Sequence, residues 1–200
     1  MGILFNTILT IIITASLQAG MLDATEITPQ QAAAECMDGV VAMEEETMDR
    51  YAANSYVNFV ENLKGDEETV QRMRDALQKN LIYRIDGIEE RNDAAMAKVT
   101  VTQCDFSKVL KKYEKEAYQY ITEHLYDEDI TDKKKLNAKC LDIYASQIEK
   151  VAKAGKTSEE TIYLPMHSDG YNGWNVELDE ESMKVILGNL AIPEDGLKSE

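Results

Sequence analysis

The hydrophobic period of this chain changes at Ile82. Up to that point Val70, Met73, Leu77 and Leu81 recur at helical spacing; beyond it Ile82, Arg84 and Asp86 alternate with Tyr83, Ile85 and Gly87. A 3.6-residue period puts apolar side chains on one face of a helix, and a two-residue period puts them on one face of a strand. The chain must therefore pass from helix to sheet here. The polar turn Glu90-Arg91-Asn92-Asp93 follows. Then Met96, Lys98, Thr100 and Thr102 alternate with Ala97, Val99, Val101 and Gln103. Two alternating runs around a polar turn predict a β-hairpin.

Helical patterns flank that hairpin. Thr28-Pro29 predicts a capped start to a first helix running to about Ala53, on the stripe Ala33, Met37, Val40, Val41, Met48 and Tyr51. A short helix from Asn54 or Ser55 through Leu63 follows, stopped at Gly65, and Asp66 is placed to cap the next. After the hairpin, Ser107 is read as the cap of a helix carrying Val109, Leu110, Tyr113, Ala117, Tyr120, Ile121 and Leu125. The acidic loop Asp127-Glu128-Asp129 interrupts it. Thr131 or Asp132 starts another helix, which ends at Ala154-Gly155-Lys156. A second hairpin is predicted from Thr161–Met166 and Trp174–Leu178 around Asp169-Gly170, since Asp-Gly favours a tight turn. A last helix begins near Asp179. Helices and hairpins that keep to separate runs predict an α+β fold, with helices against one face of an antiparallel sheet.

The opposite end of the chain bears on location. Residues 1–22 hold no charged side chain, and the first is Asp23. Asn6, Thr7, Thr10, Thr14, Ser16 and Gln18 dilute the segment below what a spanning helix wants, roughly 20 mostly apolar residues. It fits the apolar part of an export signal, although no Lys or Arg precedes it. It also resembles a lipoprotein box in which Met21 stands where the lipid-accepting Cys belongs. A start at Met21 is the open alternative. The expected organisation is a signal peptide or N-terminal anchor over 1–24, one domain over 25–193, and a disordered tail over 194–200. The expected location is extracellular or on the outer face of the cytoplasmic membrane.

A formal net charge of −16 repels phosphate backbones and anionic headgroups. It argues against nucleic acid as a partner, and against membrane contact other than through the N-terminal segment. Cys36, Cys104 and Cys140 are widely spaced, and their odd number leaves at least one free thiol. One disulfide among them stays open.

The order of elements resembles the NTF2-like (cystatin-like) fold used by small exported lipoproteins of unknown function from Gram-positive bacteria. The residues that carry the resemblance are the hairpin Tyr83–Cys104 with Asp105-Phe106-Ser107-Lys108-Val109-Leu110, and the terminal Gly170-Tyr171-Asn172-Gly173-Trp174-Asn175-Val176. The two helices between the hairpins are longer than that fold needs. The resemblance implies a curved sheet wrapped against helices to form a cone. Members of that fold use the cone for chemistry or for a ligand, or fill it with side chains.

If the cone is open, Tyr83, Arg84, Asp86 and Tyr163 are the candidate ligand-binding residues. Arg84 and Asp86 share one strand face; the alternative is an outward face with ion pairs. No catalytic residue, metal site or cofactor is expected. His124 and His167 lack the clustered spacing of a zinc site. Thr131 and Asp132 stand where a calcium loop from Asp127 needs its glycine. The expected function is an envelope-associated, non-enzymatic binding domain for an unknown envelope protein or small ligand. The alternatives are a cone-pocket hydrolase or dehydratase using carboxylate, Tyr and Arg, and a homodimer formed through the sheet.

Overall fold

Thr28 opens the first helix with a reciprocal cap. Its hydroxyl accepts from the Gln31 backbone N–H at 3.2 Å, and the Gln31 side chain accepts from the Thr28 N–H at 2.9 Å. The computed structural model describes residues 27–44, 47, 67–171 and 173–193. Helix α1 spans Pro29–Val41, shorter than the predicted run to Ala53. Met43 takes a left-handed φ of 49°, Met43 N–H donates to Val40 O, and Glu44 N–H donates to Gly39 O. That pair of bonds closes the helix. Periodicity cannot show it, because the apolar spacing continues past the break. The predicted short helix at 54–63 and the Asp66 cap lie outside the described residues, as does the tail 194–200.

Helix α2 (Glu67–Gln78) leads into β1 (Ile82–Arg91), which pairs with β2 (Ala94–Cys104) around a turn where Asn92 has φ 52°. Helix α3 (Val109–Glu123), the single turn α4 (Glu128–Thr131) and the long α5 (Lys133–Ala154) follow. β3 (Thr157–Ser168), β4 (Trp174–Val176) and α6 (Glu180–Ile186) complete the chain. The fold is α+β: a four-stranded antiparallel sheet in the order β1-β2-β3-β4, with helices packed on one face.

Several local expectations hold for the predicted reasons. Asp132 caps α5 by accepting from Lys134 and Lys135 N–H, and Gly155 ends it at φ 63°. Asp179 caps α6 by accepting from Ser182 N–H at 2.7 Å. Gly170 has φ 76°, and Asp169 gathers Tyr171 and Gly173 N–H at 2.7 and 3.0 Å.

Others are corrected. Ser107 does not cap α3. Its N–H donates to Asp105, and the helix starts from Lys108 without a side-chain cap. Part of the acidic loop 127–129 is drawn into α4. Strand β3 begins at Thr157, four residues before the predicted start, because Thr157–Glu160 pair with Val101–Cys104 though they lack an apolar alternation. β4 stops at Val176 rather than Leu178.

The largest correction is in β1. The partners shift between Ile85↔Val99 and Gly87↔Lys98, which makes Asp86 the extra residue of a β-bulge. The bulge reverses the phase of the strand. Tyr83, Ile85 and Ile88 are partly buried, whereas Ile82, Arg84, Asp86, Gly87 and Glu89 are exposed. Gly87 therefore lies opposite the face that simple alternation assigns to it.

The core fills the space between sheet and helices. Phe106, Met37, Tyr144, Ile148, Leu164, Met166, Met183, Ile186 and Leu190 are fully buried. Gln103 is also buried and ties three elements. Its amide donates to Leu77 O at the end of α2 and to Ile186 O at the end of α6. Its carbonyl accepts from Cys104 N–H at 2.8 Å. Polar groups buried this way must be paired, and this amide satisfies two carbonyls left open by helix ends.

Candidate functional site

The sheet has two unlike faces. On the helix side, Ala97, Val99, Val101, Ile162, Leu164 and Met166 are buried and leave no chamber. The crevice present among the described residues, between Gln103, Glu160 and Asn189, holds about 10 Å³. That is no more than roughly one water. Among the described residues the space between sheet and helices is packed with side chains.

The four sequence candidates divide between the faces. Tyr83 points to the helices. Its hydroxyl donates to Asp38 Oδ1 at 2.6 Å and approaches Ala34 O at 3.3 Å, both on α1. Burial, and then the Asp38 carboxylate, push its pKa well above the ordinary tyrosine value. It is a fastener of α1 to β1. Arg84, Asp86 and Tyr163 lie together on the other face, which no helix covers among the described residues.

That outer face is ordered around Asp86. Arg84 Nε donates to Asp86 Oδ1 at 2.7 Å, and Thr100 Oγ1 donates to Asp86 Oδ2 at 2.5 Å. The Thr100 hydroxyl first, then the Arg84 guanidinium, hold the Asp86 carboxyl below its usual range. Asp86 is therefore a fixed anion at neutral pH, with both oxygens already engaged. Such a group is poorly placed to accept a proton as a general base. Cross-strand neighbours fill the rest. Lys98 sits opposite Tyr163, Met96 opposite Pro165 and Ile82 opposite Thr102. Ile82, Met96 and Tyr163 are 62%, 38% and 55% exposed. Apolar side chains beside a fixed ion pair suit contact with another molecule better than chemistry.

Ile82, Met96 and Lys98 are not among the sequence candidates, although the chain carries a signal for the first two. Ile82 and Met96 are apolar residues on the polar phase of their strands, and a strand that only faces water gains nothing from them.

The sequence also holds three cysteines and two histidines. Cys36, Cys104 and Cys140 are free and buried, so the open disulfide is not formed. Burial pushes all three thiols up, Cys36 to about 12 with help from Glu35. Thiolates are what react, and these remain thiols. His124 Nδ1 lies 2.6 Å from Asp127, and His167 Nε2 lies 3.7 Å from Glu177. Among the described residues no group of His, Cys, Asp or Glu is arranged to hold a metal. No described helix is long and apolar enough to cross a membrane.

Residues 40–190 match the family described as a domain of unknown function, DUF5105. The chain belongs to that family. The matched span contains both hairpins, the outer face and all of α2 to α6. No curated protein matches the chain. Among solved structures it is similar to ycdA from Bacillus subtilis subsp. subtilis str. 168. The identity is 15% and the TM-score 0.40, over 76% of this chain and 44% of that one. The chain thus spans less than half the length of that neighbour.

Proposed function

We propose that this DUF5105 chain is an exported, cell-envelope-associated binding domain that engages a partner protein through the outer face of its sheet. The observation that carries the reading is the closed interior beside an open outer face. Function then falls to a surface, and the face bearing Ile82, Met96, Tyr163 and the Arg84–Asp86 pair sets exposed apolar side chains on a hydrogen-bonded sheet. The charge-free segment 1–22 supports export, with the outer side of the cytoplasmic membrane as the place of work. The helices on one side of an antiparallel sheet support the NTF2-like reading, with a filled cone.

Site-specific photo-crosslinking tests the surface. A photoreactive residue placed at 82, 96 or 163 in cells should give the same single adduct, and Arg84→Glu should abolish it. Adducts that are equally strong from an exposed position on α5, or none from the three sheet positions, would rule the face out. Fractionation of a reporter fusion tests export separately; signal confined to the cytoplasm refutes that part.

A further inference from the structure

The net charge of −16 argues against lipid contact by the domain as a whole, but the charge is unevenly spread and leaves one basic strip. Lys108, Lys111, Lys112 and Lys115 fall at i, i+3, i+4 and i+7 along the start of α3. That spacing brings them onto one side of a helix, over roughly 10 Å of its length. The opposite side carries Val109, Tyr113 and Ala117, which are buried. All four lysines are exposed, and none forms an ion pair among the described residues.

The acidic groups nearby are mostly engaged elsewhere. Asp105 accepts from Ser107 N–H at 3.0 Å and lies within electrostatic reach of Lys108 alone of the four. Glu116 is drawn sideways to Gln147 and to Lys150, the latter at 3.1 Å. Glu123, near the far end, accepts from Gln119 at 2.7 Å. Glu114 remains as the local counter-charge on the flank of the strip. The helix N-terminus adds its partial positive charge to the same end.

The strip continues into apolar surface. Tyr118 follows Lys115 by three residues and is 73% exposed; the turn after the helix exposes Leu125 and Tyr126 at 54% and 96%. Lysines beside exposed tyrosine and leucine are the composition of a surface that lies at a lipid interface, with the cations on headgroups and the rings at their level. The acidic stretch from Asp127 to Asp132 beyond that turn is offset by Lys133, Lys134 and Lys135. Repulsion from the distant carboxylates is screened over about 8 Å at physiological ionic strength, whereas the strip would meet the headgroups directly.

We infer that the exposed side of α3, with Lys108, Lys111, Lys112, Lys115 and Tyr118, docks this domain against an anionic lipid surface. The inference rests on the envelope-associated reading and adds an orientation to it. Docked by α3, the domain would use one surface for lipid and keep the sheet face for its partner.

Vesicle flotation with the full chain tests it. Residues 1–22 carry no charged side chain and so cannot discriminate headgroup charge; the readout is therefore the difference between phosphatidylglycerol-containing and pure phosphatidylcholine vesicles. The expected preference is at least about tenfold at low salt and falls as salt rises. The variant with Lys108, Lys111, Lys112 and Lys115 all changed to Gln should lose the preference while keeping its circular dichroism spectrum and melting temperature, since all four side chains are exposed. Tyr118→Ser should weaken binding to both vesicle types. Equal binding to the two vesicles, or a preference that the lysine variant retains, overturns the inference. A preference competed away equally well by soluble inorganic polyphosphate also overturns it, because the strip would then be a general polyanion site. Failure here leaves the reporter-fusion result for export untouched, and cytoplasmic retention of the fusion would leave the vesicle result standing.

Discussion

Arg72 on α2 grips Glu149 on α5 with two parallel hydrogen bonds, Nε to Oε1 at 3.0 Å and Nη2 to Oε2 at 2.8 Å. Its remaining nitrogen, Nη1, reaches Asp142 one helical stretch earlier at 3.0 Å. One guanidinium thus spans two carboxylates on the same helix and fixes how α2 lies on α5. The planar fork suits this geometry as a lysine could not. The side chains are 35–39% exposed, so water screens the charges and limits their value. Arg72→Ala should cost about 1–2 kcal/mol in urea unfolding, and Arg72→Lys should recover less than half of that. A double-mutant cycle with Glu149→Ala should give a coupling of about 0.5–1 kcal/mol. A coupling near zero would show that the forked pair contributes nothing in water.

The same pair sets a response to acid. The Arg72 guanidinium holds both Glu149 and Asp142 below the usual carboxylate range. A folded-state pKa below the unfolded one means the unfolded chain binds more protons in that window. The stability from these groups is therefore complete above their unfolded values, about 4, and is lost as pH falls through the lower folded values. Asp179, held down by the Ser182 N–H at the α6 cap, acts in the same direction. The melting temperature should fall below about pH 4. In Arg72→Ala that fall should be shallower; an unchanged slope would assign the acid response to other groups.

Two glycines should respond in opposite ways. Gly188 has φ 59°, and a Cβ there would run into Cys104 O and stand 2.7 Å from the Phe106 ring. Its carbonyl also accepts from Phe106 N–H at 2.7 Å, which pins the end of α6 to the end of β2. Gly188→Ala should destabilise by about 2–4 kcal/mol, from left-handed strain plus overpacking. Gly87, beside the bulge, has open space within 4 Å of where a Cβ would stand, and no positive φ. Gly87→Ala should change stability by less than about 0.5 kcal/mol. Denaturant midpoints for the two variants decide this directly.

The thiols should be silent in the native protein. Cys36, Cys104 and Cys140 are buried, and Cys36 is pushed up to about 12. With an aromatic disulfide reagent at neutral pH, the native chain should react many times more slowly than the chain in guanidinium, where three thiols should titrate. The sign at high pH is the reverse of the acid case. A thiol or phenol whose folded pKa is raised contributes stability that is complete below its unfolded value and is lost above it. Tyr113, pushed up to about 12 by burial and then by Cys140, adds to this, so stability should decline from about pH 9 upward. Fast native labelling of any thiol would show that its cover opens locally.

The elements that the sequence determines by itself are those set by short-range physics. The caps at Thr28, Asp132 and Asp179, the left-handed glycines 155 and 170, and the hairpin of β1 and β2 depend on neighbours within a few residues. The α+β class follows from the two apolar periods. Tertiary structure decided the remainder. The bulge at Asp86 reverses the phase of β1, because the pairing with β2 outweighs the local alternation. That single residue turns Gly87 outward and Ile88 toward the helices. Tyr83, bonded to α1, and Arg84 and Asp86, on the open face, precede or form the bulge and keep the sides that alternation gives them. Whether the space between sheet and helices is open or filled was likewise beyond sequence. It depends on how the volumes of Phe106, Tyr144, Met166 and Leu190, far apart along the chain, sum in one place.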